Sequence, residues 1–157
     1  MKQIDRKTLD NLSREAIDSP RKRKNLNFHE HLSDSLQRML NALEPETYLR
    51  PHKHENPDKR EIFIILRGRV AVFTFFDDGN IKDSVVLDTK TMNLGIEIPP
   101  REWHTVIALE SNTVIFEIKD GPYEPMNDKN FASWAPAEVS STCSDYNNKL
   151  LKSIGLL

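Results

Sequence analysis

Between Gln37 and Lys119 the chain is written in short runs of Val, Ile, Leu, Phe and Thr, broken by turn residues at intervals of about ten, which predicts strands. The expected strands are Gln37–Leu43, Tyr48–His52, Glu61–Leu66, Arg69–Phe76, Ile81–Leu87, Met92–Ile98, Trp103–Leu109 and Thr113–Lys119. Between them stand Glu44-Pro45-Glu46, Asn56-Pro57-Asp58, Gly68, Asp77-Asp78-Gly79-Asn80, Thr89-Lys90, Pro99-Pro100 and Glu110-Ser111-Asn112, each with turn chemistry. Asp78-Gly79 is a hairpin signal. Apolar residues fall on both faces of Val70–Phe76, so two sheets are expected to close on each other as a jelly roll or small barrel.

The flanks read differently. Ile4, Leu9, Leu12, Ala16 and Ile17 recur at helical spacing with charges between them, predicting a short amphipathic helix over 4–17 that Ser19-Pro20 ends. Residues 21–29, basic and without period, read as a loop draped over the rest. Beyond Lys119 the pattern fades into an irregular arm, with one terminal helix expected over 148–154. The organisation predicted is an N-terminal helix and loop over 1–36 packing on a barrel of 37–125, followed by a C-terminal arm over 126–157.

Composition narrows the function classes. The 157 residues carry 22 Lys+Arg against 24 Asp+Glu, a net charge of −2, which suits one domain and leaves no basic excess for a nucleic-acid partner. One cysteine, Cys143, closes no internal disulfide, the N-terminus has no signal-peptide pattern, and Ile62–Leu66 is the longest apolar run. A cytoplasmic protein with no membrane segment is expected.

Candidate chemistry begins at Pro51-His52-Lys53-His54. Residues i and i+2 of an extended chain share a face, so one strand end can aim both imidazoles at a single metal ion. Glu61, opening the next strand, could add a carboxylate, and His104 a further imidazole. Taken singly, each has a plainer reading: a solvated turn for the histidine pair, a strand-edge partner of Lys53 or Lys59 for Glu61, and a hydrogen-bonded core residue for His104.

Together, Pro51-His52-x-His54-x6-Glu61-x6-Gly68 and Gly95-x3-Pro99-x4-His104 resemble the two motifs of the cupin superfamily, in which three His and one Glu bind a metal inside a β-barrel. The chain departs from that pattern in a longer His-to-Glu spacer, in Arg101 where Gly is usual, and in Ala108 where Asn is frequent. Further segments, among them Ser19-Pro20-Arg21-x-Arg23, Asn27-x-His29, Leu66-Arg67-Gly68-Arg69, Trp103-His104-Thr105, Gly121-Pro122-Tyr123 and Trp134-Ala135-Pro136-Ala137-Glu138, are similar to the WbuC-type cupin metalloproteins, which accompany bacterial surface-polysaccharide (O-antigen) genes.

The resemblance implies an all-β cupin double-stranded β-helix, a jelly-roll barrel with a short N-terminal helix and an irregular C-terminal arm. It implies one divalent transition metal (Zn, Fe, Mn or Ni) on His52, His54, Glu61 and His104, and a homodimer paired through exposed sheet edges. Phe63 and Ile65 are expected to wall the pocket. Arg21, Arg23, Asn27 and His29 from the N-terminal loop, with Lys119 and Tyr123, are expected to contact a small anionic ligand, because guanidinium forks suit carboxylate and phosphate. Glu97 and Glu117 are expected to face outward, and Trp103 to pack. Three functions fit: a protein binding or acting on an anionic sugar or nucleotide-sugar in surface-polysaccharide biosynthesis, by isomerisation, epimerisation or hydrolysis; an Fe(II) dioxygenase of a small organic acid; or a non-catalytic metal-dependent binding module. The residues leave open which, and whether the protein is catalytic.

Overall fold

A computed structural model describes residues 1–124 and 130–157. The expected boundary between barrel and arm, after residue 125, falls outside the described residues. The elements run α1 (Arg6–Asp18), β1 (Arg23–Asn27), β2 (Leu36–Leu43), β3 (His52–Lys53), β4 (Glu61–Arg67), β5 (Arg69–Phe75), β6 (Ile81–Asp88), β7 (Gly95–Ile98), β8 (Trp103–Ala108), β9 (Thr113–Asp120), β10 (Asn130–Phe131) and α2 (Cys143–Ser153).

The strands form two five-stranded antiparallel sheets, ordered β1-β2-β9-β4-β7 and β10-β3-β8-β5-β6. Between them lies an apolar core of Leu43, Phe63, Ile65, Val70, Val72, Leu87, Ile98, Val106, Ala108 and Ile115, drawn from both inner faces. The outer faces are covered as well. Leu12 and Ala16 of α1 pack on Leu40, Ala42 and Val114, while Leu150 of α2 packs on Ala71, Phe73, Phe75 and Ile107. The two-faced apolarity of β5 is thereby explained: Val70 and Val72 meet the other sheet, and Ala71 and Phe73 meet a helix.

Local chemistry sets the joints. The Asp5 carboxylate accepts from Thr8 N–H at 2.8 Å and starts α1. Gly68 joins β4 to β5 at φ +78°, and a Cβ there would run into Thr113. Gly79, at φ +86°, makes the β5–β6 hairpin turn that Asp78-Gly79 announced.

Several elements differ from the pattern reading. Residues 23–27 are not loop but the edge strand β1, paired along its length with β2. Only Arg23 is partly buried there and the other four residues are exposed, so the strand carries no hydrophobic alternation to betray it. Residues 48–51 do not join a ladder. Pro51 has no N–H, and this stretch is held by Thr105 Oγ1 donating to Leu49 O (2.6 Å), Arg50 donating to Ala132 O (2.7 Å) and Tyr48 donating to Pro136 O (2.8 Å). β7 starts only at Gly95, because residues 89–92 are spent on a turn closed by the Asp88–Asn93 bridge. α2 begins five residues before the expected helix, with Cys143, Asn147 and Leu150 buried along one stripe.

Candidate metal centre

His52 and His54 leave one strand end on the same side, and His52 stands directly opposite His104 in the β3–β8 ladder. His52 and His104 belong to one sheet and His54 lies just beyond the end of β3; Glu61 reaches them from the first residue of β4 in the other sheet. Residues 55–60, the long spacer, are taken up by a turn, so Glu61 still enters β4 beside the histidines. The ring centroids of His52 and His104 are 4.4 Å apart, and those of His52 and His54 5.2 Å. Glu61 Oε1 lies 2.5 Å from His104 Nε2 and 3.2 Å from His54 Nε2. All four side chains are buried, and one potential ligand atom from each falls within 4.8 Å of the others.

Three imidazoles and one carboxylate suit a divalent transition metal. The outer contacts support that fit. His52 Nδ1 lies 3.0 Å from Arg50 O, and His104 Nδ1 lies 2.9 Å from Glu102 O. A carbonyl oxygen only accepts, so Nδ1 carries a proton in both rings, which leaves Nε2 as the nitrogen that would ligate a bound metal. Burial by itself would raise the Glu61 pKa, but His104 and then His54 outweigh it and hold the carboxyl well below the usual carboxylate range. The group thus stands among the imidazoles as an anion. Of the two lysines considered as strand-edge partners, Lys53 meets Glu55 at 3.0 Å, and Lys59 donates to Pro122 O.

His52, Glu61 and His104 form part of the wall of a cavity of about 710 Å³, a size suited to a small organic ligand. Arg21, Arg23, Asn27, His29, Lys119 and Tyr123, named from the sequence, all line it. Their circumstances differ. The Arg23 guanidinium donates to Tyr48 O and, at 2.8 Å, to Glu138, so its fork is committed to protein partners and it offers the cavity charge above all. Arg21 is exposed, 3.7 Å from Glu138. His29 is buried, with Nδ1 on the Arg38 backbone at 3.1 Å. Asn27 accepts from Asn25 Nδ2 at 2.7 Å. The Lys119 ammonium is buried, 5.6 Å from the Tyr123 ring centroid.

Phe63 walls the cavity as expected, whereas Ile65, one row deeper, belongs to the packed core. Glu97 is exposed, but Glu117 faces inward, lines the cavity and accepts from Asn41 Nδ2 at 2.7 Å. The signal was available: Lys119 and Glu117 are two apart on β9 and must share a face. Asn41, Arg50, Phe131 and Glu138 also line the cavity and were missed; the last two come from the C-terminal arm, whose path no local pattern reveals. Trp103 packs against Trp134 on the outer side, its Nε1 donating to Asp77 at 2.8 Å.

The family model described as "Domain of unknown function (DUF6016)" matches residues 4–87. No curated protein matches the chain. Among solved structures it is similar to L-ribose isomerase of Cellulomonas parahominis, with TM-score 0.57 and 12% identity, over 80% of this chain and 72% of that one. It is similar to a cupin superfamily protein of Desulfitobacterium hafniense, with TM-score 0.50 and 11% identity, over 62% of this chain and 76% of that one. It also resembles the capsular polysaccharide assembling protein CapF of Staphylococcus aureus, with TM-score 0.54 and 18% identity, over 68% of this chain but 28% of that one. At these identities the likeness is one of fold: the chain is an all-β cupin jelly roll. No helix among the described residues is long and apolar enough to cross a membrane.

Proposed function

The chain belongs to the family described as "Domain of unknown function (DUF6016)", a description that specifies no reaction, and from that premise we propose that this cupin holds a divalent transition metal on His52, His54, Glu61 and His104 and binds or acts on a small anionic sugar or nucleotide-sugar. The observation that carries the reading is a cavity with His52, Glu61 and His104 of that donor set on its wall, together with five cationic against three acidic side chains. That surplus, before the charge of any metal, favours an anion. Arg21, Arg23, Asn27, His29, Lys119 and Tyr123 are its ligand contacts in this reading. A bound divalent ion would act as a Lewis acid on a ligand oxygen. The role in surface-polysaccharide biosynthesis draws support from the WbuC-type motif resemblance and from the fold likeness to a protein named for capsular polysaccharide assembly. Another fold neighbour is described with L-psicose, a sugar.

Metal analysis of the native protein, joined to thermal-shift screening of nucleotide sugars and sugar phosphates, tests the proposal. It expects about one equivalent of Zn, Fe, Mn or Ni, and ligand shifts in the metal-loaded protein that His104→Ala abolishes. A protein that takes up none of these metals overturns it. Iron together with oxygen uptake on an organic acid would replace it with the dioxygenase reading.

A further inference from the structure

Glu117 is an ionisable group that the metal cluster does not use. Its side chain is 15% exposed and that of Lys119 is 3% exposed, yet both stand on the cavity wall. Inside a barrel a carboxylate is retained against its desolvation cost only where partners or a task hold it. Its two oxygens are distinguished: Oε2 accepts from Asn41 Nδ2 at 2.7 Å, and Oε1 lies 3.9 Å from the Lys119 ammonium, a charge contact too long for a hydrogen bond. In the β4–β9 ladder Lys119 sits opposite Glu61, and Glu117 opposite Phe63, one step along the same inner face. Diagonal cross-strand neighbours such as Glu61 and Glu117 are about 7–8 Å apart at Cα, a gap that a sugar spans with two or three atoms. A ligand with one oxygen at the metal cluster therefore lays its next carbon atoms between Glu117 and Lys119.

We propose that Glu117 is the proton-transferring residue of this cavity, acting with the Lys119 ammonium on the carbon next to a carbonyl group of the bound anionic sugar. This rests on the ligand reading above. The Glu117 carboxylate takes the proton from that carbon; the electron pair of the broken C–H bond becomes the new C=C bond, and the carbonyl π pair moves onto oxygen, where the ammonium faces the charge. Return of a proton from the Glu117 carboxyl to the same face of that carbon restores the carbonyl. The cycle is redox-neutral, needs no co-reactant, and its net outcome is exchange of that hydrogen with solvent through the Glu117 carboxyl.

The test uses full-length, metal-loaded protein in D2O with hexose 6-phosphates and hexuronates as probes. Proton NMR follows loss of the hydrogen beside the carbonyl, and thermal shift and metal content are read in parallel. The wild type is expected to bind at least one probe and exchange its hydrogen. Glu117→Gln, which keeps an oxygen for Asn41, is expected to retain metal and probe binding while exchange falls by about 10²–10⁴-fold. Glu117→Asp should recover part of the rate. Binding without exchange in the wild type, or wild-type exchange in Glu117→Gln, overturns the proposal and leaves the ligand reading intact. If no probe binds, the ligand reading fails and the proposal falls with it.

Discussion

The two halves of the barrel interior are built on the same strands and are equally buried, yet they carry opposite chemistry. Along β4 the inward positions run Glu61, Phe63, Ile65; along β9, in the matching direction, they run Lys119, Glu117, Ile115; along β8 they run His104, Val106, Ala108. Glu61 and Ile65 are each 2% exposed, and His104 and Ile115 each 1%. Burial therefore does not separate the halves. The aliphatic half gains about 25 cal/mol for each Å² of apolar surface removed from water. The ionisable half gives up hydration and recovers it only through close partners or a metal. One end of the barrel packs the apolar core, and the other gathers the ionisable side chains.

That contrast can be broken most sharply at His104. His104→Ala removes one of four donors and should lower metal affinity by more than about 100-fold, since even outer contacts of metal ligands are worth about 10–100-fold. Equilibrium dialysis with Zn or Mn measures it, and near-normal affinity would show that the cluster is not a metal site. At the aliphatic end, Leu87→Ala should cost about 2–5 kcal/mol with metal content unchanged, read by denaturant unfolding of the metal-free protein. A third change joins the halves. Replacing Glu61 by Met and His104 by Leu together should abolish metal binding while leaving metal-free stability equal or up to about 4 kcal/mol higher, because apolar replacement of buried charge is commonly neutral or stabilising. A large loss of stability would mean that the polar end supports the fold.

Acid should act on the polar end alone. Imidazoles must be unprotonated to ligate, so metal should be released as pH falls below about 6, and full occupancy at about pH 4.5 would contradict a three-histidine site. In the metal-free protein the depressed Glu61 pKa has its own sign. Its stabilisation is present above the unfolded carboxylate value of about 4.3 and is lost as pH falls toward the lower folded value. The smallest effect is expected at the cavity mouth. Arg21→Ala removes an exposed contact 3.7 Å from Glu138, so stability should move by no more than about 0.5 kcal/mol while affinity for an anionic probe falls.

Much of this was legible along the chain because strand periodicity and turn chemistry are local properties. Seven of the eight expected strands match observed ones closely or in their C-terminal part, and His52-x-His54 announced its own geometry through strand parity. Where the reading failed, the deciding contact was remote. β1 is a strand only because β2 offers it a ladder. Residues 48–51 are extended without a ladder because the Thr105 side chain of β8 and backbone carbonyls of the arm hold them. Glu117 was placed outward from its apolar neighbours, although Lys119 on the same strand already required the opposite.

By itself the sequence determined most of the barrel strands, the alternation of faces along each, and which donor types are available, since each follows from backbone geometry within a few residues. The tertiary structure alone decided which donors meet. His104 reaches His52 only through ladder register, Glu61 reaches both only because two sheets close face to face, and Arg23 becomes a committed guanidinium only once the arm brings Glu138 to it. Distances between segments fifty or more residues apart are set by packing, and the chemistry of this cavity is written in those distances.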